Sequence, residues 1–185
     1  MSGSRSPLVL TLPGLGGSGA EHWQTRWESV YPRHFRVAQR DWNHPDRDEW
    51  LAALAAAIDA AGEPVALVAH SLGCALVAHA AARPLAARVR AAFLVAPADV
   101  DRPLCTPVET RVFAPLPQSP LPFPATVVAS ANDPYVTLAR ARAFATAWGA
   151  ELVDAGARGH LNVASGLGDW PDGRALFEAL LARST

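Results

Sequence analysis

Val68-Ala69-His70-Ser71-Leu72-Gly73 closes the small apolar run Val65-Ala66-Leu67-Val68-Ala69 and opens a stretch of helical period from Leu72 to Arg83. A buried strand that turns directly into a helix at a serine has the form of a nucleophile elbow. Such a turn forces the serine into unfavourable backbone angles, and the residues two positions before and after it must be small to avoid clashes. Ala69 and Gly73 meet that demand, although alanine stands where glycine is usual. The Leu72 N–H then lies at a helix N-terminus, facing any oxyanion that forms beside the serine. Serine is equally a favoured helix N-cap, so the hexapeptide alone leaves two readings and the rest of the chain must decide between them.

Outward from this turn, strand and helix alternate. Leu8 to Leu12, Ala91 to Val95 and Ala125 to Ala129 share the short apolar character of Val65 to Ala69 and read as buried strands, with Phe35 to Gln39 and Glu151 to Val153 as weaker candidates. Helical periodicity covers Ser18 to Tyr31, Asp46 to Ala61, Leu72 to Arg83, Thr137 to Trp148 and Pro171 to Ala182. Ser18 with Glu21, and Asp46 with Glu49, each pair an N-cap residue with an acid three positions on, while Gly62 and Gly149 stand where helices should stop. This alternation predicts an α/β fold: a six-stranded, mostly parallel sheet with helices on both faces. The stretch Pro103 to Pro124 holds seven prolines and no regular pattern. It reads as a long surface loop, either a lid or wall of a pocket or a rigid connector.

A serine nucleophile in such a fold needs an acid and then a histidine downstream, each in a loop at the C-terminal edge of the sheet. Asp133 follows the strand Ala125 to Ala129 through Ser130-Ala131-Asn132 and precedes Pro134, placing it on a turn past a strand end. His160, in Gly159-His160-Leu161-Asn162, lies after the last strand and before the last helix. Asp99 and Asp101, beyond the strand ending at Val95, are the rival acids and rank lower because their strand comes earlier. His22, His34 and His44 precede the serine, and His79 lies about two turns down the elbow helix. His70 adjoins the serine with its side chain turned elsewhere, and is a candidate for lining the substrate pocket.

The loop Gly14-Leu15-Gly16-Gly17-Ser18-Gly19 contains a literal G-x-G-x-x-G after a strand, with Asp41 downstream where a dinucleotide site would bind ribose. The capping pair Ser18 and Glu21 would start the following helix too late for that fingerprint. In a hydrolase this loop would supply the second oxyanion donor, Leu15 N–H first and Gly16 second, with Gly16 also near the pocket. Trp23 and Trp27 share a helix face and read as anchors on the sheet, whereas Trp42, beside Asp41, is a candidate for the pocket wall. No His, Cys or acid cluster has the spacing of a metal site.

Composition bounds the function. A chain of 185 residues, half of them apolar, supports one self-sufficient domain over 1–185, with residues 1–6 as a flexible start. A formal charge of −1 offers no footprint for nucleic acid or an anionic membrane, so the expected partner is a small molecule; nothing in the pattern speaks to oligomeric state. All sixteen basic residues are arginine, which excludes Schiff-base and lysine general-base chemistry. Two cysteines, Cys74 and Cys105, in a domain with no need of a disulfide suggest a reducing compartment, and the run Leu8 to Leu12 is too short for a signal peptide or membrane span. A cytoplasmic location is therefore expected.

Pro13-Gly14-x-Gly16-Gly17, His22-Trp23-Gln24-x-x-Trp27-Glu28, Asp41-Trp42, His44-Pro45-Asp46 and His70-Ser71-Leu72-Gly73-Cys74 together resemble the small α/β-hydrolase family of serine hydrolases that includes the retinoblastoma-binding serine hydrolase. The resemblance runs in order from the first strand to His160. It implies a compact α/β-hydrolase-like sheet without a large cap domain, a triad falling on Ser71, Asp133 and His160, and no cofactor. The expected reaction is hydrolysis of a small ester, or secondarily an amide or thioester, through an acyl-enzyme. Two other readings stand beside it: a catalytically weak interaction protein of the same fold, and nucleotide binding through Gly14 to Gly19.

Overall fold

The computed structural model describes residues 6–184, so the expectation for residues 1–6 falls, Ser6 apart, outside the described residues. Six strands form one sheet: β1 (Leu8–Leu12), β2 (His34–Arg36), β3 (Val65–His70), β4 (Val89–Val95), β5 (Ala125–Ala129) and β6 (Glu151–Asp154). Their spatial order is β2-β1-β3-β4-β5-β6, and every pairing is parallel. Parallel neighbours need crossovers, and these are supplied mainly by helices α1 (Trp23–Val30), α2 (Arg47–Ala61), α3 (Leu72–Ala80) and α4 (Leu138–Trp148), with α5 (Pro171–Arg183) closing the chain.

The alternation of β3 shows how the layers form. Val65, Leu67 and Ala69 join a core with Leu51, Leu54, Leu76 and Phe144 from α2, α3 and α4. Ala66 and Val68 point the other way, into a core with Trp23 and Trp27 of α1 and Phe177 and Leu180 of α5. Because successive side chains face opposite sides of a strand, a strand buried on both faces must be apolar throughout, as this one is until its last residue.

The anticipated strands match to within a few residues, and Gly62 and Gly149 end α2 and α4 in the left-handed conformation. Asp46 caps α2 by accepting from the Asp48 and Glu49 amides at 2.9 Å. The first helix differs. It starts at Trp23, with His22 as N-cap, because Ser18 is committed elsewhere: its Oγ donates to Gln24 Oε1 at 2.6 Å. Gln24 in turn donates from Nε2 to the carbonyls of Leu12 and Val68, tying α1 to the ends of β1 and β3. The proline-rich segment is also less superficial than its composition suggests. It contains a 3-10 helix, Val108–Phe113, and buries Phe113, Leu116 and Phe123 in the core, while Trp148 donates to the Pro117 carbonyl. Among the described residues the β4–β5 connection carries no further regular element, so no cap domain stands over the sheet. No described helix is long and apolar enough to cross a membrane.

Candidate active site

Ser71 sits between β3 and α3 with φ 55° and ψ −118°, a conformation that costs a non-glycine residue about 1–3 kcal/mol. Its side chain makes no capping bond to α3, so the helix-cap reading does not describe it. The surroundings leave the turn no room to relax. A Cβ on Gly73 would overlap the backbone carbonyl of Leu12, and one on Gly14 would lie 2.8 Å from Ser71 Cβ. The demand for small residues around the elbow is thus a demand of packing against the end of β1.

His160 and Asp133 meet this serine. His160 Nε2 lies 2.8 Å from Ser71 Oγ, and His160 Nδ1 lies 2.8 and 3.0 Å from the two carboxylate oxygens of Asp133. A carboxylate only accepts, so Nδ1 carries the proton and Nε2 is the acceptor for the serine hydroxyl. The Asp133 side chain is fully buried, and its Oδ1 also accepts from the Tyr135 amide at 2.8 Å. The Tyr135 ring stands edge-on to the imidazole at 4.5 Å between centroids. The rival acids are engaged elsewhere. Buried Asp99 takes two bonds from Arg140, at 2.7 and 3.1 Å, holding that guanidinium's pKa up, and Asp101 accepts from the Leu116 amide.

The loop bearing His160 is held along its length. Arg158 N donates to Ser130 Oγ and Gly159 N to Asn132 Oδ1, both from the turn after β5. On the far side His70 Nε2 donates to the His160 carbonyl and Trp23 Nε1 to the Leu161 carbonyl, each at 2.9 Å.

A cavity of about 180 Å³ opens beside Ser71. One wall is Gly14, Leu15 and Gly17 of the first loop, another is Thr106, Pro107 and Thr110 of the proline-rich segment, and Tyr135, His160 and Asn162 form a third. His22, His70 and Ala98 complete it; the threonines belong to the segment anticipated as a possible pocket wall and His22 to a motif of the family resemblance, whereas Tyr135 and Asn162 were not singled out by sequence reasoning. The signal for Tyr135 and Asn162 was proximity in the chain, since each follows an anticipated site residue by two positions. Burial, with Arg36 nearby, lowers the His22 pKa to about 4, and burial holds His70 well below the usual imidazole range, so both rings are neutral near pH 7.

Gly16 and Trp42 fall outside this lining. The Gly16 N–H donates to the Trp42 carbonyl at 2.8 Å and so is already spent. The Trp42 ring packs over Gly17 and edge-on to Trp50, bracing the first loop from behind instead of facing the cavity. Leu15 remains on the cavity wall, and Leu72, as the first residue of α3, has an N–H with no carbonyl partner inside the helix. The helix after the glycine-rich loop begins only at Trp23, and Gly14 lies against Ser71 and the Leu72 amide, so this loop serves the serine turn. No group of three potential metal ligands occurs among the described residues, and both cysteines are free thiols.

The model of a family described as Serine hydrolase matches residues 9–179. No curated protein matches the chain. Among solved structures, a protein described as a YdeN-like hydrolase from Pectobacterium atrosepticum has 32% sequence identity and a TM-score of 0.84, over 95% of this chain and 91% of that one. The ydeN gene product of B. subtilis has 18% identity and a TM-score of 0.73, over 96% and 100%. Est1E from Butyrivibrio proteoclasticus, in a structure with ferulic acid bound, has 16% identity and a TM-score of 0.71, over 98% and 89%. The last two are similar in fold alone.

Proposed function

Since this chain belongs to the serine hydrolase family, we propose that it cleaves small esters, with thioesters or amides as secondary substrates, through an acyl-enzyme on Ser71. Ser71 Oγ attacks the substrate carbonyl carbon while its proton passes to His160 Nε2. The carbonyl oxygen becomes an oxyanion, which the Leu72 and Leu15 amides receive. Asp133 holds the imidazole in the Nδ1–H form and stabilises the imidazolium. Collapse of the tetrahedral intermediate breaks the ester C–O bond, and His160 returns the proton to the departing alkoxide. Water then repeats the sequence on the acyl-enzyme, leaving a free carboxylic acid and a regenerated serine.

The observation that carries this reading is the continuous chain Asp133–His160–Ser71, with 2.8 Å at both links, ending on a serine in a strained turn. A cavity of about 180 Å³ favours a short acyl group. The chemistry calls for neither cofactor nor metal, and the free thiols Cys74 and Cys105 accord with a reducing, cytoplasmic setting.

Labelling with a fluorophosphonate tests the proposal. Wild type is expected to take one phosphonyl group at Ser71 and Ser71→Ala none. Folded wild type that stays unlabelled, or labels no faster than Ser71→Ala, would favour the interaction-protein reading. Micromolar binding of NAD or NADP by calorimetry would instead favour the nucleotide reading of the first loop. Because the triad acts as a unit, Ser71→Ala combined with His160→Ala should be little worse than either change alone.

A further inference from the structure

We propose that His70 is a positioning residue: its Nε2–H, donated to the His160 carbonyl, holds the loop that presents the imidazole to Ser71. The assignment rests on the acyl-enzyme reading above.

His70 is the last residue of β3, immediately before the serine, and strand alternation turns it toward the α1 and α5 side of the sheet. The loop bearing His160 comes to it from the other end of the sheet, ninety residues on, and the link between them is 2.9 Å. A carbonyl only accepts, so the bond requires a proton on His70 Nε2. Burial keeps the ring neutral, which leaves Nδ1 as a bare lone pair. The ring itself is immobilised between His22, with centroids at 4.8 Å, and His160, also at 4.8 Å.

The held segment needs restraint. Leu161 has φ 50°, a left-handed conformation that a residue with a Cβ avoids. Trp23 Nε1 donates to the Leu161 carbonyl, so two successive carbonyls of this turn are gripped by buried side chains. Asp133 and Ser71 restrain the imidazole at its tip, whereas His70 and Trp23 restrain the backbone from which it projects. Without the His70 bond the carbonyl is left unpaired in a buried place and the turn can rotate. A displacement near 1 Å at the reacting atoms can cost about 100-fold in rate.

The test compares His70→Leu with His70→Gln. Both remove the imidazole packing and should lose similar stability, but the glutamine amide restores an N–H at nearly the same reach. His70→Leu is expected to lower kcat about 10–100-fold with KM within about threefold, and to slow fluorophosphonate labelling of Ser71 in parallel. His70→Gln should recover most of both. In wild type, long-range ¹H–¹⁵N correlation should show a neutral His70 with its proton on Nε2, a measurement that needs no variant to fold. A proton on Nδ1, labelling of His70→Leu at the wild-type rate, or a folded His70→Gln as slow as His70→Leu would each overturn the role of His70. Wild type that fails to label at Ser71 would instead sink the acyl-enzyme reading.

Discussion

Replacing Asp133 by asparagine exchanges one oxygen for an NH₂ and should disable the proposed base. Asp133 serves two donors at once: its oxygens lie 2.8 and 3.0 Å from His160 Nδ1, and Oδ1 also accepts from the Tyr135 amide at 2.8 Å. Asparagine has one oxygen and one NH₂. If the oxygen stays with Tyr135, the NH₂ confronts Nδ1–H, and the ring escapes the clash only by moving its proton to Nε2. That tautomer points a donor at Ser71 Oγ and cannot accept its proton. If the amide flips, the NH₂ meets the Tyr135 N–H, leaving a buried donor without an acceptor at about 1–3 kcal/mol. The first arrangement keeps every backbone bond and should prevail. On the precedent of a serine protease, the wrong tautomer lowers kcat by about 10⁴. Stopped-flow turnover of a p-nitrophenyl ester at pH 7.5, with KM measured separately, reads this directly. A folded Asp133→Asn enzyme within tenfold of wild-type kcat would refute the assignment of Asp133 as the group that sets the His160 tautomer.

Three further outcomes follow from the packing and charges. Gly73→Ala pushes a Cβ into the Leu12 carbonyl, which as backbone cannot step aside, so urea unfolding should show a loss of at least about 1–3 kcal/mol together with lost activity; Gly19→Ala, with nothing within 4 Å, should change neither. Arg140→Met strands the buried Asp99 carboxylate, with only Arg102 at 3.9 Å to replace it among the described residues, and should cost about 3–5 kcal/mol while leaving kcat per folded molecule nearly unchanged. His22 and His34 have pKa values lowered by burial from 6.5 to about 4. The unfolded chain therefore binds more protons between those values, and stability should climb as pH rises from about 4 to 6.5, then level off. The full effect is roughly 3 kcal/mol for each ring. Unfolding midpoints at pH 5 and 7.5 that differ as much in His34→Phe as in wild type would contradict this source of the slope.

The inner strands β1, β3, β4 and β5 could be read from the chain because they are buried on both faces and so apolar at nearly every position, a pattern that needs no knowledge of neighbours, whereas the edge strands β2 and β6 carry polar and exposed residues and gave the weaker signals. That Ser71, Asp133 and His160 would meet could be anticipated because each follows a strand end in the order the proposed chemistry requires. What escaped depends on long-range commitments of polar side chains. Ser18 looks like a helix cap until Gln24, bonded to the ends of two strands, claims its hydroxyl. Trp42 looks like a pocket wall until Gly17 and Trp50 take up its ring. The proline-rich segment looks like surface because its composition hides Phe113, which is fully buried.

Strand order accounts for how the site gathers residues from such distant parts of the chain. From β1 the chain steps outward to β2, then returns to β3 and proceeds the other way through β4 and β5 to β6. The reversal lies between β1 and β3, so the loops after these two strands leave the sheet in opposite directions and open a crevice between them. Ser71 stands on one lip and Gly14 and Leu15 on the other, which sets the first loop opposite the proposed nucleophile. Asp133 and His160, leaving β5 and β6, reach back over β4 from one side only. The proposed base and the proposed anion-binding amides therefore approach the serine from opposite flanks, and a substrate carbonyl between them would have its oxygen directed toward β1 and its leaving group toward His160.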